Sequence, residues 1–280
     1  MTGSLWRLFS RAFASPSGRL GVLILVALSV IIIAGPWFLP DPAVMPDLLA
    51  GATPPGSAHL FGTDQLNRDI LSRVVSGGRI SLSVAALAVT LAVTLGALIG
   101  GAAGFYGGWV DGLLMRVVDG ALAIPRLFLL LILVAVWEHM PVPALVIVLG
   151  ATGWFSTSRI VRGELLRLRE AEFVQAATAL GAGPARIIFL HLLPNVAGPL
   201  LVAATLGVGD VILLEAGLSY LGVGVHPPTP SWGGMILDAR SLLTTAPWAS
   251  IFPGLAIVVT VLAVNLIGDA LRGALDPRSA

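Results

Sequence analysis

The chain has 280 residues, 56% of them hydrophobic and 11% charged, with 16 basic and 15 acidic side chains and a formal net charge of +1. A soluble domain carries roughly 25% charged residues, so this composition excludes that class and implies an integral membrane protein. With no cysteine there is no disulfide framework, thiolate metal site or cysteine nucleophile, and with no lysine there is no Walker A phosphate loop, so any ATP that drives the protein binds another polypeptide.

Runs of about 20 apolar residues, the length that crosses the hydrocarbon core, predict an all-α membrane protein with six transmembrane helices. Residues 1–19 precede the first span, residues 20–39. Arg7, Arg11 and Arg19 ahead of it also suit a secretory signal. Its apolar core is too long for one, and Pro36-Trp37-Phe38-Leu39-Pro40 offers no small-residue cleavage site, so a retained anchor is expected. The segment 40–79 is rich in Pro and Gly at first and then becomes an amphipathic run, and its second half is expected to be structured. The second span covers about Ile80 to Gly101, and Gly100-xxx-Gly104 at its end permits close helix packing. The third runs from about Leu113 to Trp137, with Arg126 near its middle just after Pro125, and the fourth from Val142 to Phe155. A polar interlude, 159–195, leads to the fifth span, Val196 to Leu218, which contains Asp210. The segment 219–250, the sixth span, Ile251 to Leu271, and the tail 273–280 complete the chain.

Orientation follows from the arginines. With the N-terminus inside, the inner segments hold Arg7, Arg11, Arg19, Arg159, Arg162, Arg167, Arg169, Arg186, Arg272 and Arg278, whereas the outer ones hold Arg68, Arg73, Arg79 and Arg240. Both termini and the interlude are therefore expected in the cytoplasm.

Within the interlude, Phe173, Ala176, Ala177 and Leu180 fall at i, i+3, i+4 and i+7 and form one apolar stripe. Gly181 suits the left-handed residue that ends a helix, and Pro184 suits the first turn of the next, which carries Ile187, Ile188 and Leu192 into Pro194. A helix lying on lipid would read similarly, but this stripe is small, alanine-based and closed by a tight turn, which favours a knob that docks into another protein.

Ionisable residues inside spans are costly and are often functional. Arg126 either lines a pathway and meets an anionic part of the cargo, such as a peptide carboxylate, or makes a structural pair with Asp119, Asp210 or a partner's acid. Asp119 stands one turn from Arg116, so an i, i+3 pair is the expectation there. Glu215 is expected to tie the outer His226-Pro227-Pro228-Thr229-Pro230 segment to nearby arginines or backbone amides. The four histidines, 59, 139, 191 and 226, share no metal-ligand spacing, and neither a catalytic set nor a basic-aromatic pattern for nucleic acid is present.

The interlude also carries a resemblance. Gln175-Ala176-Ala177, three residues, Gly181, nine residues and His191-Leu192-Leu193-Pro194 resemble the EAA loop of ABC-importer permeases, with Gln175 in place of the motif's glutamate and His191 in place of the usual isoleucine. His59 to Leu82, Glu215 to Met235 and Asn265 to Arg278 are similar to the C-type permease of the dipeptide, oligopeptide and nickel importers. One departure is Asn67, where that family usually has Gly.

The resemblance implies a type I ABC importer permease-like fold, with an anchor helix, a five-helix permease core over 80–272 and a cytoplasmic coupling helix-turn-helix. It also implies a transport subunit of the bacterial inner membrane that imports short peptides. The coupling residues would be Glu172, Phe173, Gln175, Ala176, Ala177, Leu180, Gly181, Ala182, Gly183, Pro184 and Arg186, and the candidate path residues Arg126, Asp119 and Asp210. Implied partners are a homologous companion permease, two ATP-binding subunits holding ATP and Mg²⁺, membrane lipid and a periplasmic or lipid-anchored solute-binding protein that docks near 40–79. This chain itself would bind no cofactor. Nickel or glutathione-like cargo is the alternative within the class, and an ion-coupled secondary carrier, with Arg126, Asp119 and Asp210 as a relay, is the alternative outside it.

Overall fold

A computed structural model describes residues 10–42, 51–137 and 140–275. The first helix, α1 (Pro16–Ala34), starts where Ser15 accepts a hydrogen bond from the Gly18 amide at 3.1 Å and Pro16 fills the first turn. A Cβ on Gly21 would lie 2.7 Å from the Ala263 carbonyl, so the glycine lets α1 lie against the last helix of the chain. Most of the remaining surface of α1, including Leu23, Val26 and Val30, is exposed.

The second helix, α2 (Ile70–Tyr106), begins well before the predicted second span. Asp69 sets its start by accepting from the Ser72 amide at 2.8 Å, and the other carboxylate oxygen of Asp69 meets His59 Nδ1 at 2.9 Å. The turn ahead of it is held by Asp64, which accepts from the amides of Leu66 and Arg68 at 2.9 and 3.0 Å. Asn67 sits in that turn at φ 56°, a left-handed conformation that asparagine tolerates better than other residues with a side chain beyond Cβ. The helix has 37 residues and is therefore about 55 Å long, well beyond a bilayer core of about 30 Å, so it is longer than a single crossing needs.

The expected straight third span is broken. Helices α3 (Gly108–Leu122) and α4 (Arg126–Val134) meet at 85° across Ala123, Ile124 and Pro125. Pro125 is extended at φ −56°, ψ 125° and has no N–H to continue the ladder, which accounts for the break. Arg126 is consequently the first residue of α4 and not the middle of a continuous helix.

After it come α5 (Val142–Arg169), the short α6 (Glu172–Ala179), and a helical turn Pro184–Arg186 that passes through a π-helical turn, Ile187–Leu192, into α7 (Leu193–Tyr220). The chain ends in α8 (Trp232–Asp238) and α9 (Trp248–Leu275). Among the described residues five helices are long and apolar enough to cross a membrane, and the bent α3–α4 pair makes a sixth crossing if it counts as one span.

The most extensive packing is between α2 and α5. Gly96, Gly100 and Gly104 face Thr157, Ser158 and Leu165, and a Cβ on Gly100 would lie 2.3 Å from the Ser158 carbonyl oxygen. The partner for the glycine spacing is thus α5 of the same chain. Beside this seam Val84, Ala85, Leu145, Leu149, Ile212 and Leu218 form the central core.

Glu215 lies in that core fully buried, but its partners are hydroxyls and not the predicted arginines or amides: Ser81 donates to it at 2.9 Å and Ser219 at 2.8 Å. Arg68 and Arg73 are engaged elsewhere. Arg68 donates to Asp64 at 2.7 Å, and Arg68 and Arg73 both reach Asp238 of α8, at 3.3 and 3.1 Å. This buried cluster ties residues 64–73 to α8.

Candidate functional site

Two places carry the predicted functional residues, the elbow between α5 and α7 and the bend between α3 and α4. At the elbow, α5 stops at Arg169 and α6 starts immediately, with Gln175 Nε2 donating back to the Glu170 carbonyl at 3.1 Å. The end of α6 is a Schellman motif: the Gly181 amide donates to Thr178 and the Ala182 amide to Ala177, at 2.9 and 3.0 Å, with Gly181 at φ 81°. Pro184 then opens the next helical turn, as its position predicted.

Only Val174 of α6 is buried; it packs into a small cluster with Leu165, Leu168, Ile187 and Leu192. The predicted stripe faces away from the chain: Phe173 is 44% exposed, Leu180 89%, Ala176 is exposed and Ala177 half-buried. Glu172, Gln175, Gly181, Gly183, Pro184 and Arg186 are exposed around it, and Ala182 is half-buried. Beneath the elbow lies a cavity of about 700 Å³ that reaches Phe105 at the end of α2 and Arg169 at the end of α5. The exposed stripe is therefore a convex apolar knob on two short, capped turns, fixed to the body through one buried valine.

At the bend, Arg126 Nη2 donates to the Leu149 carbonyl of α5 at 2.8 Å. Gly153 makes room for the guanidinium, because a Cβ there would lie 3.0 Å from Nη2. Arg126 Nε is buried and has no hydrogen-bond partner among the described residues. Asp210, on α7, is exposed and makes no ion pair or hydrogen bond from its carboxylate among the described residues, although its charge acts on Arg126.

Asp119 does not join them. It pairs with Arg159 of α5, and the predicted pair with Arg116 is not formed. An i, i+3 neighbour on one exposed helix loses here to an arginine that the fold brings alongside. A second bridge was not foreseen: Asp111, in the first turn of α3, holds Arg162 by two hydrogen bonds, Nη2 to Oδ2 at 2.6 Å and Nε to Oδ1. An acid in a first turn is a generic feature, so no local signal singled out Asp111. No group of His, Cys, Asp or Glu suited to a metal ion occurs among the described residues.

Comparison with known proteins agrees with this architecture. Residues 92–280 match the family described as binding-protein-dependent transport system inner membrane component. A putative peptide permease protein of Brucella suis biovar 1 is 42% identical over 280 residues, covering 99% of this chain and 92% of the relative. The oligopeptide transport system permease protein of Bacillus subtilis is 39% identical, covering 98% and 90%. The glutathione transport system permease protein of Escherichia coli O6:K15:H31 is also 39% identical, covering 98% and 89%. The chain belongs to the family of inner membrane components of binding-protein-dependent transport systems, the type I ABC importer permease fold.

Proposed function

We propose that this member of that family is one of the two membrane subunits of an ATP-driven importer of short peptides, with the elbow as its socketed contact to an ATPase subunit. The observation that carries the reading is the exposed stripe of α6. Phe173, Ala176 and Leu180 present apolar surface on an otherwise polar elbow, and small side chains at 176 and 177 leave space for a partner's groove to close over the helix.

The mechanical consequence follows from continuity. The elbow is joined through one residue pair to α5, which is locked to α2 by glycines, and through the π-helical turn directly to α7. A displacement of the knob on ATPase closure is passed to both helices as a rigid shift, because packed seams switch between discrete arrangements and do not deform smoothly. In this reading Glu172, Phe173, Gln175, Ala176, Ala177, Leu180 and Gly181 to Pro184 with Arg186 form the coupling surface. Both termini lie in the cytoplasm, ATP and Mg²⁺ belong to the partner subunits, and an external binding protein docks over residues 51–79 and 219–250. Peptide cargo is supported by the Brucella and Bacillus relatives, and glutathione, itself a short peptide, by the Escherichia relative.

The natural absence of cysteine makes a direct test simple. An Ala177→Cys variant, co-expressed with ATPase subunits carrying one cysteine in the groove, is expected to form an intersubunit disulfide on oxidation. In proteoliposomes, uptake of trialanine is expected to require ATP and to stop with a hydrolysis-dead ATPase. Uptake driven by an ion gradient without ATP would replace this reading with that of a secondary carrier.

A further inference from the structure

Glu215 is a carboxylate shut inside the end of α7 opposite the elbow, fully buried and without an ion pair among the described residues. Each of its oxygens is answered by one serine, and each serine passes the contact on to the segment that follows α7. Ser219 donates to Oε1 at 2.8 Å while its Oγ accepts the Val225 amide at 3.1 Å. Ser81 donates to Oε2 at 2.9 Å while its Oγ accepts the Trp232 amide, the first of α8, at 3.4 Å. Two backbone amides that bracket residues 226–231 are therefore hung on one carboxylate. Glycines let the chain come this close: a Cβ on Gly224 would lie 2.3 Å from Ser219 Oγ, and one on Gly233 2.4 Å from the Ala216 carbonyl oxygen of α7. Between the two amides Pro227, Pro228 and Thr229 are exposed.

Two routes from the elbow meet at this carboxylate. Helix α7 runs unbroken from Leu193, directly after the π-helical turn, to Tyr220, and Glu215 stands about 33 Å along it. Ser81 belongs to α2, which Gly96, Gly100 and Gly104 seam to α5, the helix that enters the elbow. The hydroxyl of one helix and the carboxylate of the other thus share a single hydrogen-bonded centre with the 221–231 loop. A buried carboxylate is costly as soon as one of its donors is withdrawn, so the centre holds one geometry and does not yield by degrees.

We propose that Glu215 is a positioning residue that pins α2, α7 and the 221–231 loop to one another, so that a displacement of the elbow is delivered to the face on which the external binding protein sits. This rests on the importer reading and deepens it, because it names the contact through which docking on one side and ATP hydrolysis on the other are coupled. The loop and α8 keep their place by other means as well: Asp238 holds Arg68 and Arg73, and Trp232 Nε1 donates to the Val74 carbonyl of α2 at 2.8 Å. Loss of the pin therefore leaves a docking face that is present but no longer follows α7.

The test uses the assembled importer in proteoliposomes and reads ATP hydrolysis as trialanine-loaded binding protein is titrated in. Glu215→Gln keeps the side chain's size but turns N–H groups towards a serine that has to donate, and Ser81→Ala removes one arm of the pin outright. Each is expected to lower maximal stimulation about fivefold, the low end of coupling between two sites, and to leave the half-maximal binding-protein concentration within about twofold of wild type. The double variant is expected to lose no more than either single one, because both break the same contact. Wild-type maximal stimulation in both variants, or losses that multiply in the double variant, overturns the pin. So does a raised half-maximal concentration with an unchanged maximum, which would assign Glu215 to the stability of the docking face alone. A second measurement does not depend on how well those variants assemble. A bimane label on Thr229→Cys in the otherwise unaltered chain is expected to shift its emission when the ATPase subunits are trapped with ATP and vanadate in the absence of binding protein, and an unchanged emission overturns the pin. A wild-type complex whose ATP hydrolysis is not raised by the loaded binding protein overturns the importer reading itself.

Discussion

Helix α5 is held on its two sides by opposite means. Towards α2 the contact is backbone against backbone, with Gly96, Gly100 and Gly104 admitting Thr157, Ser158 and Leu165 into the space a side chain would take. Towards α3 and α4 only Met115, Val118, Leu130 and Val134 are buried from that side, and the rest of the attachment is polar and pointlike: Asp111 to Arg162, Asp119 to Arg159 and Arg126 to the Leu149 carbonyl. Leu113, Val117, Ile124, Phe128 and Ile132 remain exposed on the broken span. The first seam has no slack and moves as one body. The second is a set of separable ties beside uncovered apolar surface, so under the proposed coupling it is the side on which α5 would change its register.

The tight seam is most sensitive at Gly100. A Gly100→Val substitution puts branched carbons where even a Cβ would lie 2.3 Å from a backbone oxygen, so α2 and α5 must separate, at about 3 kcal/mol or more. The expected result is a large loss of folded protein in a detergent thermal-stability assay; a variant with wild-type stability would show that the seam is not tight.

On the other side the effects are smaller and graded by burial. Asp111→Asn removes one partner of a two-bond pair whose acid is 16% exposed, and about 1 kcal/mol of stability is expected to go with it. Because that tie spans the moving side, ATP hydrolysis is also expected to become less dependent on loaded binding protein. An effect as large as that of Gly100→Val would mean that this side, too, is rigid. The mildest change is Asp119→Asn. Its pair with Arg159 is more than half exposed on both partners, so less than about 0.5 kcal/mol is expected, measured as an unchanged melting midpoint. A double-mutant cycle between Asp111→Asn and Asp119→Asn sharpens the picture further: near-additive losses are expected if the ties act independently.

The elbow was the most legible part of the sequence. Its helix stripe, the left-handed Gly181 and the opening Pro184 are all decided within a few residues, and α6 with its Schellman end follows them. The third span was the least legible. Leu113 to Trp137 is almost uniformly apolar, so hydropathy reads one helix through it, whereas Pro125 turns the chain by 85°. A proline inside an apolar run is compatible with a straight, kinked or broken helix, and neighbouring packing selects among them. The start of α2 was legible only in part: the amphipathic run up to Arg79 is expected to be structured but stands outside the predicted span, whereas the helix runs through it without a break, with Arg73 buried against Asp238 and Arg79 donating to the Ile32 carbonyl at 2.9 Å.

Residence in the membrane and the exposed knob were written in the sequence alone, because composition, apolar run length and helix-ending residues act locally and do not depend on what lies across the fold. Which charge answers which was decided only in three dimensions. Asp119 takes Arg159 and not Arg116, Glu215 takes Ser81 of a distant helix besides Ser219 one turn away, and Arg126 takes a carbonyl. Those choices depend on which helices lie side by side and at what height, since an ion pair falls away within a few ångströms and residues close in sequence have no advantage once a distant helix is nearer in space.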